Sequence, residues 1–580
     1  MTTGAPLTAA ALIAAAVATV AIGFYGIRLS RNTSDFLVAS RSIGPQWNAA
    51  AVSGEYLSAA SFLGVAGLVA KYGADALWYP VGFTAGYLGL LLFVAAPLRR
   101  SGAYTVPDFA EFRLASARLR KVAMVVVIVI CVFYLVPQYQ GAGLALKTLL
   151  GLPVWVGPAV VGAIVIVNVV GGGMRSITFV QAFQYWLKLT AIAVPALALL
   201  ALFLNDGADL AGPLPPTVHQ QTTVTVETDV VVQVAQPAGI TVVGTVDGHQ
   251  VDGAPFPAPG RYVLQKGTTL TLAEGSATPV VAGAPSSGDE WIASGGGLGG
   301  YHPSYQVLSI IVATFLGTMG LPHVLVRFYT NPDAHAARRT ALAVIALLSL
   351  FYLFPTLLGV FARQFVPQLL ITGTADAAVL LLPSAAIGGI GGAGLAALVA
   401  AGAIAAFLAT SSGLLVSIAG ALSTDVLGGR VRDFRVAAVV GGMAPLPLSL
   451  LASSLELSRS VGLVFAVAAS TLCPLLVLGI WWRGLTSVGA ACGLAVGGVS
   501  SGMATTLAVS GVVDEHLLGG WPAVVVGYPA AVTVPLAFLT MVVVSRFTAS
   551  TRPPDVARIF AQMHVPERLG MGVERVPRGG

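Results

Sequence analysis

Residues 48–72 read NAAAVSGEYLSAASFLGVAGLVAKY, an apolar run that carries a carboxylate, Glu55, and the serines Ser53, Ser58 and Ser61 along its middle. Lipid does not favour such a helix. A Glu at membrane depth costs roughly 2.5 to 3.5 kcal/mol on insertion scales, so Glu55 is expected to face a polar interior. The small residues packed around it, Gly54, Ser58, Ala59 and Ala60 among them, let the backbone leave helical geometry and offer carbonyls to a ligand. The run reads as one half of a transport site.

Working outward, hydrophobic residues make up 56 % of the 580 positions and charged residues 9 %, a composition that excludes a soluble protein and implies a polytopic membrane protein. The formal charge of +6 does not point to nucleic acid, because the basic residues fall in short loops between apolar spans, where they set topology. Cys131, Cys473 and Cys492 all lie within apolar spans, so no disulfide or metal framework is expected.

The apolar run at 5–27 is a membrane span rather than a signal peptide: it is too long, no basic segment precedes it, and Arg28, Arg31 and Arg41 follow it. Further spans are expected at about 46–70, 78–98, 122–148, 154–174, 178–205, 306–326, 338–363, 388–424, 433–453, 459–481, 485–512 and 522–546, thirteen in all. With alternate loops assigned to the cytoplasm, that side collects most arginines, including Arg99, Arg100, Arg113, Arg175, Arg327, Arg338, Arg339, Arg430 and Arg483. The other side keeps Lys71, Lys147, Arg261, Lys266, Arg363 and Arg459. This pattern puts the N-terminus outside and the C-terminus in the cytoplasm of a bacterial-type inner membrane. Lys188 lies within the sixth span and is expected to snorkel toward the cytoplasm.

Between 206 and 305 the composition changes. TTVTVETDVVVQV (222–234), GITVVGTV (239–246) and RYVLQKGTTLTLAEG (261–275) alternate or are rich in β-branched residues, with Gly, Pro and Asp-Gly turn signals between them. A β-rich extracytoplasmic insertion is expected there; His219 and His249 read as surface histidines. The chain thus divides into an extra helix and loop (1–45), a first repeat (46–205), the insertion (206–305), a second repeat (306–481), two further helices (482–546) and a cytoplasmic tail (547–580).

A second broken helix is plain at 312–327, VATFLGTMGLPHVLVR, where Gly317, Gly320 and Pro322 interrupt an apolar run beside Thr318 and His323. Matched breaks in two halves mark transporters built from inverted repeats, and a half-helix N-terminus suits a small anion. Two more polar patches sit within apolar spans: Pro137, Gln138, Tyr139, Gln140 and Gly141, and then FLATSSGLLVS (407–417) with Thr410, Ser411 and Ser412 in succession. Buried glutamines must find partners, and hydroxyl and carbonyl oxygens are ligands for a small hard cation.

At these residues the chain resembles the sodium:solute symporter family, and within it the acetate and short-chain monocarboxylate permease branch. The carrying stretches are SDFLVASRSIGPQWNAAAVSGEYLSAASFLGVAGL (34–68), GGGMRSITFVQ (171–181), LGTMGLPHVLVRFYTNPDAHAARR (316–339) and ALSTDVLGG (421–429). The resemblance implies an all-α polytopic protein of the leucine-transporter-type fold, with two inverted five-helix repeats. It further implies a cation site made by the backbone carbonyls of Gly54, Leu57 and Ala406 and the hydroxyl of Thr410. Ala409 and Gln181 depart from that pattern: the first removes a hydroxyl ligand unless Ser411 or Ser412 replaces it, and the second stands where many sodium-coupled members carry Asp. Glu55 could carry a proton instead, so the coupling cation stays open between Na+ and H+.

The expected substrate contacts are Glu55, Tyr56, Gln138, Tyr139, Thr318, Met319, Gly320 and His323. The expected activity is cation-coupled uptake of acetate, propionate or pyruvate, with no cofactor beyond a possible bound Na+ and with lipid as the surrounding partner. The alternatives are a sodium-coupled symporter of an amino acid or sugar, and a membrane sensor on the same scaffold, which the short stretch after Arg546 disfavours. No HExxH, plausible GxSxG or GxxxxGK[ST] motif occurs, so neither an intramembrane enzyme nor an ATP-driven pump is expected.

Overall fold

Eleven helices among the described residues are long and apolar enough to cross a membrane. The computed structural model describes residues 4–27, 43–206, 210–299, 301–372, 375–428, 430–451, 455–510 and 520–565, the side chains at 173–175 and 205–206 excepted. Arg28, Arg31 and Arg41, the Arg175 side chain and the tail beyond 565 lie outside that set. The principal helices are α1 (Ala5–Ile27), α2 (Pro45–Tyr56), α3 (Val65–Tyr72), α4 (Trp78–Gly89), α5 (Ala117–Leu150), α6 (Val156–Asp206), α7 (Pro303–Gly320), α8 (Pro322–Tyr329), α9 (Ala334–Phe365), α10 (Gly389–Leu422) and α11 (Leu457–Ser470); shorter helices are cited by range.

The count differs from thirteen for two local reasons. α3 and α4 are joined only by a short 3-10 turn (Gly73–Leu77, Gly73 φ 62°), so residues 60–100 count as one helical stretch, and Val156–Gly172 falls short of a full span. The junction expected at 175–177, between the fifth and sixth spans, does not interrupt α6. Near it, Ser176 Oγ donates to Gly23 O of α1 at 2.7 Å, which gives the hydroxyl a partner inside the bundle.

α10 lies at the centre. Nearly every side chain from 396 to 421 is buried, and a helix that is apolar on all sides belongs in the interior. Its glycines allow close contact: a Cβ on Gly402 would press on Ala191 of α6 and on Phe62, and one on Gly413 would overlap Glu55.

Residues 222–281 form a seven-stranded antiparallel sheet. With β1 (Thr222–Thr225), β2 (Val230–Val234), β3 (Ile240–Val246), β4 (His249–Pro255), β5 (Gly260–Leu264), β6 (Thr269–Leu272) and β7 (Val280–Val281), six strands run β1-β6-β3-β5-β2-β7, and β4 pairs with β3. In β2 (Val230–Val234) alternate valines point inward, the period expected of a sheet with one buried face. Their small core also takes Ile371 from the loop after α9, which docks the sheet on the helical body. The following segment clamps the end of α3: Trp291 Nε1 donates to Val69 O at 2.8 Å, and Asp75 accepts from the N–H groups of Gly295 and Gly297. On the same side Lys71 pairs with Glu456 at 3.0 Å, and Asp376 caps α11 by accepting from Leu457 N at 2.9 Å.

Candidate functional site

The opening stretch is a broken helix. α2 ends at Tyr56, Leu57 is extended (φ −73°, ψ 90°), and helix resumes at Ala60 with one wide π turn (Ala60–Gly64) before α3. A helix end leaves carbonyls without intrahelical partners, and a restart leaves free N–H groups. Here the partners come from other helices. Gly54 O and Leu57 O both accept from Lys188 Nζ of α6, the latter at 2.7 Å. Glu55 O accepts from Thr410 Oγ1 of α10 at 2.6 Å, and Ala59 N donates to Gln138 Oε1 of α5 at 2.9 Å. The break is therefore closed by three helices at once.

The second break is smaller. α7 ends at Gly320, Leu321 alone is extended (φ −74°, ψ 115°), and Pro322 begins α8, where its missing N–H costs nothing. Gly317 and Gly320 lie against α11: a Cβ on either would approach the carbonyl of Phe465 or Ala468 to 2.5 Å. The two breaks meet through side chains. Tyr56 OH lies 2.9 Å from Thr318 Oγ1, and Asn48 Nδ2 donates to Arg327 O at 3.1 Å.

Between them lies a buried ion pair. Arg327 Nε donates to Glu55 Oε2 at 2.6 Å, with both side chains all but fully enclosed. The rest of the guanidinium fork is engaged by Thr178 Oγ1 at 2.7 Å and by Gln181 Oε1. Gln181 in turn donates from Nε2 to Ala409 O of α10 at 2.8 Å. A buried Arg with each branch of its fork hydrogen-bonded meets the condition under which such a pair is tolerated.

Beside the pair is an aromatic cluster. The Tyr56 ring packs edge-on against Tyr87 (4.9 Å) and Phe83 (6.2 Å), Phe465 lies 4.9 Å from Phe83, and Tyr134 lies 5.2 Å from the His323 ring. Among the described residues, neither ring nitrogen of His323 nor the hydroxyl of Tyr87 has a hydrogen-bond partner, and Ser411 Oγ and Ser412 Oγ also lack one. Buried polar atoms are normally satisfied, so this is where a small polar solute would find hydrogen bonds waiting.

The expected site residues separate accordingly. Glu55, Tyr56, Gln138, Thr318 and His323 converge around the two breaks, and Gly54, Leu57 and Thr410 line the first. Tyr139 does not join them: its hydroxyl donates to Gly442 O at 3.0 Å, because one residue along a helix turns the side chain about 100° away from Gln138. Met319 lies against Gly89, and Gly320 serves close helix packing. Ala406 is buried one helical turn before Thr410.

Two readings of the basic residues are corrected. Lys188 does not snorkel: it is fully buried, and its ammonium is on the carbonyls of the break. Arg327 is not a loop arginine but the counter-charge of Glu55. A signal for the second was present, since a Glu at membrane depth requires a partner and Arg327 lies four residues after His323, one turn along the same half-helix.

Two helices broken midway and joined across a buried charged cluster define a secondary transporter of the broken-helix class. The model of the sodium:solute symporter family matches residues 36–235 and 277–497. The chain belongs to the sodium:solute symporter family, whose members are multi-pass membrane proteins.

Among curated relatives, an uncharacterized symporter, YwcA, of Bacillus subtilis is 30 % identical over 535 residues, covering 90 % of each chain. A monocarboxylic acid transporter of Corynebacterium glutamicum is 30 % identical over 574 residues, covering 95 % of this chain and 93 % of that one. These relatives are transporters rather than enzymes. Among solved structures, a Na+-coupled sialic acid symporter in a substrate-bound outward-open state aligns with TM-score 0.60 at 13 % identity, over 93 % of this chain and 98 % of that one. Mhp1, a nucleobase-cation-symport-1 family transporter in a closed conformation with bromovinylhydantoin bound, aligns with TM-score 0.51 at 16 % identity, over 92 % and 99 %. At such identities the likeness shows a shared fold, the leucine-transporter type.

Proposed function

We propose that this protein takes up small monocarboxylates such as acetate, propionate or pyruvate, coupled to a cation, Na+ or H+. The observation that carries the reading is the surplus of basic side chains in the buried cluster. One carboxylate, Glu55, lies beside two basic groups: Arg327, which it pairs with, and Lys188, whose Nζ is held by the neutral carbonyls of Gly54 and Leu57. With Lys188 protonated, the cluster has one positive charge more than it has carboxylates, and an uncompensated buried charge is costly. A monocarboxylate balances that charge; a neutral sugar does not. Its carboxylate would face the end of the cluster, and its short apolar part would lie against Tyr56, Tyr87 and Tyr134, with His323 and Thr318 supplying polar contacts. The relative described as a monocarboxylic acid transporter supports the same substrate class.

The bundle would alternate access by moving one set of helices against the other around the two breaks. The distribution of arginine and lysine supports a cell-membrane orientation with the N-terminus outside and the C-terminus in the cytoplasm.

The test is uptake of labelled acetate, propionate and pyruvate into proteoliposomes, with sodium and proton gradients imposed separately. Accumulation under at least one gradient, with competition among the three acids, is expected. If neither gradient drives accumulation of any short carboxylate, the substrate assignment is wrong.

A further inference from the structure

Two of the oxygens that the family resemblance assigns to sodium, Gly54 O and Leu57 O, already hold Lys188 Nζ. Beside them Thr410 Oγ1 donates its proton to Glu55 O, which fixes that hydroxyl against the end of α2. We propose that the ammonium of Lys188 is the resident cation of this carbonyl cage, occupying the position that the resemblance gives to sodium, so that sodium does not bind there. The proposal deepens the reading of the chain as a cation-coupled carrier and rests on it.

An ammonium and an alkali cation offer carbonyl oxygens the same thing, a compact positive charge, but the lysine is tethered to α6 and needs no arrival from solution. The two cannot share the cage. Two unit positive charges about 4 Å apart at an effective dielectric near 20 repel strongly enough to weaken sodium affinity on the order of a thousandfold. The charged groups around Lys188 do not offset this. Glu55 is the nearby anion, and its carboxylate is bound by Arg327, so no surplus negative charge remains to attract a further cation.

The remaining sequence departures fall at the same place. Ala409 offers no hydroxyl, and its carbonyl accepts from the Gln181 amide. Gln181 itself is neutral and spends its oxygen on Arg327. Two substitutions away from an oxygen-rich, acidic site thus coincide with a lysine that reaches into it. The fixed cation also ties the end of α2 to α6, which holds the first break closed without a bound ion.

The experiment compares thermal stability of the full-length detergent-purified protein, and acetate exchange in proteoliposomes, in sodium chloride and in choline chloride. Wild type is expected to melt and exchange equally in both salts, while Lys188→Ala, its cage opened, should be stabilised by sodium in a saturable way. A saturable sodium effect in wild type that Thr410→Ala abolishes would overturn the proposal. A sodium effect on wild type that survives Thr410→Ala belongs to an ion outside the cage and leaves Lys188 as the cation within it. Should Lys188→Ala not fold, wild type and Thr410→Ala decide alone. If no carboxylate is exchanged at all, the transport reading fails, and the melting comparison still decides the role of Lys188.

Discussion

Gly413→Ala tests whether the Glu55–Arg327 pair is held as tightly as its surroundings imply. Gly413 lies on α10, and a Cβ there would overlap the Glu55 carboxylate and come within 2.6 Å of its Cγ. A carboxylate at the end of a flexible side chain can usually move aside. This one is enclosed, and Arg327 Nε holds it at 2.6 Å, so it can yield only by giving up its partner.

Breaking a buried pair costs about 3–5 kcal/mol, and alanine in place of glycine within a helix returns about 1 kcal/mol, for a net loss of roughly 2–4 kcal/mol. Gly420, seven positions further along the same helix, provides the control, because a Cβ there meets nothing within 4 Å. Gly420→Ala should therefore stabilise by up to about 1 kcal/mol. Unfolding of the two variants and wild type in one detergent gives the answer directly. If Gly413→Ala melts with wild type or above it, the carboxylate is not confined as described.

The pair itself can be examined by a double-mutant cycle. Glu55→Gln and Arg327→Met should each destabilise by about 3–5 kcal/mol, and the double variant by clearly less than their sum, since neither charge is then left alone; additive losses would mean that the two side chains act independently. Gln138→Leu removes the acceptor of Ala59 N and should cost about 1–3 kcal/mol, with a loss of transport if the break must be capped to work; unaltered unfolding would show the N–H finding another partner. On the sheet-bearing side, burial and then the Glu456 carboxylate push Asp376 up to about 7 from its ordinary 3.8, while the Leu457 N–H and Lys71 pull it down. The folded protein therefore keeps a proton that the unfolded chain loses across that interval, so this group makes stability fall as pH rises through it. Asp376→Asn, which still accepts from Leu457 N, should flatten that slope; an unchanged pH profile of unfolding would count against the assignment.

Much of the architecture was legible in the sequence because lipid imposes simple rules. Apolar length marked most of the spans, and a carboxylate in an apolar run forced Glu55 inward. Gly317, Gly320 and Pro322 announced a break that the structure puts at Leu321. Backbone accounting also made Gln138 a partner in waiting, though not for the N–H of Ala59.

What the sequence could not supply was which side chain from a distant helix would arrive at each break. Lys188 is 134 positions from Gly54, and its long stem permits either snorkelling or reaching inward; only the packing of α6 on α2 selects the second. Arg327 read as one of many topology-setting arginines, whereas the extended residue Leu321 sets α8 off from α7 and the fold places its arginine against Glu55. Tyr139 and Gln138 are adjacent in the chain, yet helix rotation sends one to Gly442 and the other to the break. The sequence by itself determined a membrane protein with two matched helix breaks, since those follow from local composition and the cost of burying polar groups in lipid. The tertiary structure alone decided that a lysine and an arginine complete them, because a buried charge is stabilised by whichever partner the fold brings within hydrogen-bonding distance.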